Sequence, residues 1–196
     1  MREALVTALS RYAGQPLTKE VAVAIVNATI PFNPVDITQF PPQACGSLTF
    51  QAERLQDILP EMDVLSRAHW QETEFHQHHL KMNLDYDVMV SEENHGSLIQ
   101  FTARCGDALV GNLRVYLRTS RHTRQKLAME DTLFLLAEHR RGRNGMRLIE
   151  YAERCVAGLG YYEFRATTKL VNSTGRLLEF MKYKPVATEY VKFLKE

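Results

Sequence analysis

The residues best able to do chemistry gather in one stretch: Glu130-Asp131, then, past a short apolar run, Arg140-Arg141-Gly142-Arg143-Asn144-Gly145-Met146. The intervening Leu133, Phe134, Leu135 and Leu136 suit a strand buried on both faces. Gly142 and Gly145 permit backbone conformations closed to other residues and let a ligand approach the main chain. From Gly145 onward, Met146, Leu148, Ile149, Ala152, Cys155 and Val156 recur at helical spacing. A helix starting directly after such a turn offers unpaired N–H groups and the positive end of its dipole. That is an anion site, with phosphate the leading anion.

Two phosphate-binding patterns do not apply. No Gly-Lys-Ser/Thr tripeptide occurs, and the turn has two glycines late in the chain rather than three after a first strand. Of the two carboxylates, strand alternation places Asp131 on the face of Leu133 and Leu135 and Glu130 on the other. Asp131 reads either as a general base beside a water-excluded cleft or as the ion-pair partner of an arginine from a nearby basic loop. His122 is an alternative base by its ordinary pKa. The basic loop (Arg118, Arg121, His122, Arg124, Lys126) suits an acidic substrate, a nucleic-acid backbone or simple solvation. His76, His78 and His79 lack carboxylate or thiolate company at ligand spacing, so no metal is expected.

The elements that must position these groups fit within 196 residues, of which 45% are hydrophobic and 24% charged, with a net charge of +1. One compact fold with an N-terminal extension is expected, with no global pull toward nucleic acid. No apolar run reaches the roughly 20 residues of a membrane span, and Cys45, Cys105 and Cys155 are scattered, which points to a reducing cytoplasm. Two helices are expected in the first 30 residues, with Thr18 as a cap; the second is apolar nearly all round, hence buried or packed on a partner chain. Prolines 31, 34, 41 and 42 mark a connector. The expected division is thus 1–46 as helical extension and connector, and 47–196 as the main domain. That domain reads as a strand over Ser47–Ala52, a helix over 57–72 and a short helix near Tyr86–Ser91. A hairpin (Ser97–Arg104, Ala108–Arg118), the strand and helix described above, a strand over 162–168, a helix from Asn172 to Met181 and a last strand over Pro185–Leu194 complete it.

This order, with the turn, resembles the GNAT superfamily of acyl-CoA-dependent N-acyltransferases, whose pyrophosphate loop reads Gln/Arg-x-x-Gly-x-Gly/Ala. Arg140 takes the first slot and Gly145 the last; Arg143 stands in the middle Gly slot, so either Gly142 supplies the special dihedral or the loop holds the diphosphate differently. The wording of segments 67–72 and 101–104 and the His122…Ala128…Asp131…Arg140 series is similar to GNAT proteins commonly encoded by bacteriophages.

The resemblance implies an α/β (α+β) fold: a mixed, mostly antiparallel sheet flanked by helices, with splayed fourth and fifth strands. It implies acetyl-CoA, or another acyl-CoA, as cofactor and transfer of the acyl group to a primary amine by direct attack. The main chain from Arg141 through Met146 would hold the diphosphate and that of Phe134 to Leu136 the pantetheine, with the Leu135 N–H on the thioester oxygen, Arg140 and Arg143 adding charge, and Asn172 on the cofactor side. The family's acid, a Tyr after Asn-x-x-Ala-x-x-Leu, falls on Glu179, leaving Tyr183 as the substitute. His69, Trp70, Glu72 and Arg121 fall at the acceptor cleft. The expected partner is a small-molecule or protein amine in the cytoplasm (of the host, if phage-encoded). Nucleic acid is a less favoured acceptor, a homodimer stays open, and an inactive binding module is the rival reading.

Overall fold

The computed structural model describes residues 2–29, 32–74, 77, 79–169, 174–192 and 194. Its helices are α1 (Arg2–Arg11), α2 (Lys19–Thr29), α3 (Leu59–Thr73), α4 (Tyr86–Asn94), α5 (Asn144–Gly158) and α6 (Thr174–Phe180). Its strands are β1 (Gln43–Cys45), β2 (Leu48–Ala52), β3 (Leu98–Cys105), β4 (Ala108–Thr119), β5 (Lys126–Leu135) and β6 (Glu163–Arg165). They form one sheet in sequence order, antiparallel throughout except for the parallel pair β5–β6. No helix among the described residues is long and apolar enough to cross a membrane.

One face of the sheet is apolar. Phe50, Phe101, Leu113 and Val115 lie in one cluster with Leu148, Ile149, Ala152 and Val156, the stripe that helical periodicity marked on α5. Each of these buried side chains larger than Ala152 contributes roughly 1.5–3 kcal/mol over its exposed state. The opposite face, toward α3 and α4, is polar at its centre. Gln100, Thr102, Asn112 and Arg114 are all buried there, in cross-strand register Gln100↔Arg114 and Thr102↔Asn112. This is why β3 is buried on both faces rather than alternating.

The chain departs from expectation in four places. A short strand, β1, forms within the proline-rich segment, so the sheet begins at Gln43 and the expected fourth and fifth strands are β5 and β6. No strand forms among the described residues of 185–194; Val186, Tyr190 and Leu194, on one side of the expected strand, lie more than four-fifths exposed and pair with no described strand. The strand expected over 162–168 pairs only through Glu163–Arg165. Finally, α2 is not enclosed: Ile25 is buried against α1, while Val23 and Val26 are nearly half exposed.

Candidate active site

The site is built on β5 and on what leaves it. Pairing with β4 runs Arg114↔Thr132 and then Val115↔Glu130, so Asp131 is an extra residue, a β-bulge. The bulge reverses the alternation that the sequence suggests. Glu130 pairs with Val115 and Leu133 with Leu113, which puts both on the apolar face, and Asp131 turns instead to Arg114. Its carboxylate lies 3.2 Å from Arg114 Nη1, and it accepts from the Thr132 hydroxyl at 3.1 Å. Arg114 is buried and also donates to Gln100 Oε1, so the ion pair is held from the sheet interior rather than by the basic loop.

β5 and β6 part company immediately before Glu130. Their pairing ends at Met129↔Arg165, and two residues later Thr167 gives its N–H (3.0 Å) and its hydroxyl (3.1 Å) to the Glu130 carboxylate. Half-buried, Glu130 has its pKa pushed above the usual carboxylate range by loss of water, with Asp131 adding and the Thr167 bonds opposing.

Beyond the parting point β5 continues for six residues, Glu130 to Leu135, without a β6 partner. The Leu136 N–H donates to Val110 O, which makes Gly111↔Leu135 and Leu113↔Leu133 the non-hydrogen-bonded pairs of the ladder. The main-chain groups of Leu133 and Leu135 therefore face away from β4, into the gap left by β6. The Leu135 carbonyl takes Arg140 Nε at 2.6 Å; the N–H beside it faces the same gap. Gly111 permits this close approach, since a Cβ there would sit 2.3 Å from Leu135 Cδ2 and 2.8 Å from Phe134 O.

The gap leads to the basic turn. Gly142 has φ 64° and supplies the left-handed residue, whereas Gly145 does not; a Cβ at Gly145 would meet only Leu177 and Leu135, at ordinary contact distance. The N-cap of α5, Arg143, makes no side-chain cap, and the first helical bond is Arg147 N–H to Arg143 O. The N–H groups of Asn144, Gly145 and Met146 thus open at the turn. The Asn144 side chain donates to His139 O at 2.9 Å, bracing the loop from within, and Arg141 and Arg143 are exposed.

Arg140 does not join them. Its guanidinium forks onto Glu72 at the end of α3 (2.6 Å through Nη2) and stacks 5.1 Å over the Phe134 ring. His69 meets the same ring edge-on at 5.3 Å. Burial keeps His69 below its ordinary pKa, with Lys169 and Arg114 adding and Glu74 opposing, so it is neutral near pH 7. His69 and Trp70 line a small cavity with Met82, Leu84, Arg114 and Thr132. A larger groove of about 560 Å³ lies behind α5 between Pro41, Tyr151 and Arg154, away from the turn and the gap.

The remaining expected residues are not brought together. His122 and Arg121 are exposed on the β4–β5 loop, beyond Lys126, which itself lies about 13 Å along the strand from Glu130 at about 3.3 Å per residue. Tyr183 gives its hydroxyl to Glu153; its pKa is pushed up by burial first and then by Glu153 and Glu130. Asn172, His76 and His78 lie outside the described residues. Among the described residues no group of three or more His, Cys, Asp or Glu side chains converges as metal ligands would. Residue-by-residue reading missed Arg114, Thr167 and Gly111. The first had a signal: Asn112 and Arg114 at alternate positions of an otherwise apolar strand mark a polar inner face.

No protein-family model matches the chain, and no curated protein does. Solved structures do. An aminoglycoside acetyltransferase from an uncultured soil metagenomic sample, in complex with sisomicin, superposes with a TM-score of 0.61 at 18% identity, covering 82% of this chain and 100% of that one. A ribosomal-protein-alanine N-acetyltransferase from Brucella melitensis biovar Abortus 2308 gives 0.60 at 17% identity, over 76% and 99% of the two chains. A predicted acetyltransferase with acetyl-CoA from Clostridium acetobutylicum gives 0.55 at 8% identity, over 74% and 95%. The mixed sheet, its flanking helices and the parting of β5 from β6 are thus the GNAT fold of these acetyltransferases.

Proposed function

We propose that the chain is an N-acetyltransferase that moves the acetyl group of acetyl-CoA, or another acyl-CoA, to a primary amine. One observation carries this reading: the β5–β6 gap, which begins at the Glu130 carboxylate, passes the outward-facing main chain of Leu133 and Leu135, and ends at the uncapped start of α5. The residues at its two ends suit the two ends of acyl-CoA. Uncapped N–H groups with exposed Arg141 and Arg143 suit a diphosphate. A pantetheine arm is about as long as four extended residues, ~14 Å, and would run back along β5 to bring the thioester toward the bulge.

Along that path an outward-facing N–H, of Leu135 or of its equivalent Leu133 nearer the bulge, donates to the thioester oxygen and stabilises the charge that develops on it. Glu130 takes the proton of the attacking ammonium, directly or through a water; its raised pKa brings it nearer to what a base at neutral pH needs. The amine lone pair forms the C–N bond, the C–S bond breaks, and the nitrogen gives up its second proton to solvent. Coenzyme A leaves as a thiolate, which takes its proton from solvent because the Tyr183 hydroxyl is already committed to Glu153. Asp131 fixes the bulge through Arg114 and stays ion-paired. Arg140 joins β5 to α3 rather than holding phosphate, and Glu72 is its partner rather than an acceptor ligand.

That same commitment of Tyr183 favours a second reading, in which acyl-CoA is bound but turned over slowly or not at all. Incubating the pure protein with acetyl-CoA and amines and following thiol release separates the two. Release that depends on amine and falls in Glu130→Gln supports the transferase; binding without release supports the second reading.

A further inference from the structure

The far side of α5 carries a second site, independent of the transferase reading above. A groove of about 560 Å³, within the roughly 300–1,000 Å³ of small-molecule sites, runs between the last turns of α5 and the segment leading into β1. Its walls are apolar: Phe40, Pro41 and Pro42 on one side, Tyr151 and Cys155 on the other. The Tyr151 hydroxyl donates to Phe40 O at 3.4 Å, which ties the two walls together.

Two sets of polar groups border these walls. The first is main chain. β1 is an edge strand, and its hairpin with β2 closes on Cys45↔Leu48 across two residues, which makes that pair hydrogen-bonded. Ala44↔Thr49 is then a non-hydrogen-bonded pair. The Ala44 N–H and C=O therefore point away from β2, and no described residue takes them. The second is Arg154, the one charged residue among the described residues that line the groove. It donates to Gln43 Oε1, beside Ala44, and forms no ion pair among the described residues, which leaves guanidinium donors for an anion. Its charge also reaches the wall, where it opposes the rise that burial imposes on the Tyr151 and Cys155 pKa values.

We infer that this groove binds a small N-acylated amino acid with an apolar side chain. The carboxylate meets Arg154, the amide exchanges hydrogen bonds with Ala44 as an added strand residue would, and the apolar groups cover the prolines and Tyr151. A neutral hydrocarbon would leave Arg154 and Ala44 unmatched, and a dianion would find only one cation.

The test titrates N-benzoylphenylalanine into the full-length protein by calorimetry, beside its carboxamide and its N-methyl analogue. The acid should saturate one site below ~1 mM. The carboxamide should need at least ~10-fold more, and the N-methyl analogue, which cannot donate to Ala44 O, at least ~3-fold more. Arg154→Gln should level the acid with the carboxamide. Ala44→Pro removes an outward N–H, which an edge strand tolerates, and should weaken the acid while the thermal midpoint holds. No saturation by the acid, equal binding of acid and carboxamide, or an unchanged preference in Arg154→Gln would overturn the inference. So would competition by acetyl-CoA, which would put the ligand in the β5–β6 gap, or a dimer that Ala44→Pro dissolves, which would give the edge to a second copy. Absence of acetyl-CoA binding counts against the transferase reading and leaves this inference standing.

Discussion

Across the line where β5 and β6 separate, Thr167 gives both its N–H and its hydroxyl to one carboxylate oxygen of Glu130. The side chain thus replaces the main-chain pairing that stops one residue earlier, at Met129↔Arg165. It both closes the paired end of the gap and sets the acidity of the group there. Glu130→Gln should keep the shape and lose the base. Turnover should fall by about 10²–10⁴-fold, the usual contribution of a positioned proton acceptor, with acetyl-CoA affinity changed little. Steady-state kinetics with calorimetry on the same preparation checks both halves.

The pH profile follows from the same pair. The carboxyl is raised by burial and partly restrained by Thr167, and a base works only when ionised, so kcat/KM should rise with pH through a value above the ordinary carboxylate pKa of about 4.3. Thr167→Val removes one restraining hydrogen bond and leaves the N–H. The rising limb should move to higher pH, and a limb that stays in place would assign the proton to another group.

Two glycines make opposite predictions about packing and strain. Gly111→Ala puts a methyl within 2.8 Å of the Phe134 carbonyl and must push β4 and β5 apart at Leu135, costing about 1–3 kcal/mol and distorting the gap. Gly142→Ala meets nothing within 4 Å but is strained at φ 64°, by roughly 1–2 kcal/mol; Gly142→Asn should cost less because Asn tolerates that region. Thermal midpoints should drop for both alanine variants, and only Gly142 should show rescue by Asn.

Acid stability should depend on His69. Its folded pKa lies below the unfolded value of about 6.5, so as pH falls the unfolded chain binds the proton first and stability declines through the window below 6.5. His69→Gln removes that linkage. Its urea midpoint should fall less than the wild type's between pH 7 and 5, and parallel curves would contradict the buried neutral imidazole.

Tyr183→Phe should leave turnover within a few-fold, since the hydroxyl is committed to Glu153. A loss of 100-fold or more would make it the thiolate's acid after all.

Much of this arrangement is written locally and reads directly from the chain. The hairpin around Gly106 and the stripe of Leu148, Ile149, Ala152 and Val156 on α5 depend on near neighbours, and Gly142 takes the left-handed conformation left open by Arg143 in the middle Gly slot. What stayed hidden depends on partners distant in sequence. A bulge adds one residue without marking it, so alternation placed Glu130 and Asp131 on the wrong faces until the β4 register was known. Residues 186–194 alternate as a strand does, yet no sheet edge receives them among the described residues. The bond between Arg140 and Glu72 spans 68 positions of sequence, so local spacing gives no sign of it.

The most direct test is an isothermal titration of acetyl-CoA into the purified chain, run in parallel on Gly111→Ala. The account predicts one saturable site per chain with a dissociation constant between about 1 μM and 1 mM, the ordinary range for such cofactors, and clear weakening when the Leu135 strand is displaced. No heat of binding at ~1 mM, or equal binding by the variant, would contradict a cofactor seat along the β5 main chain.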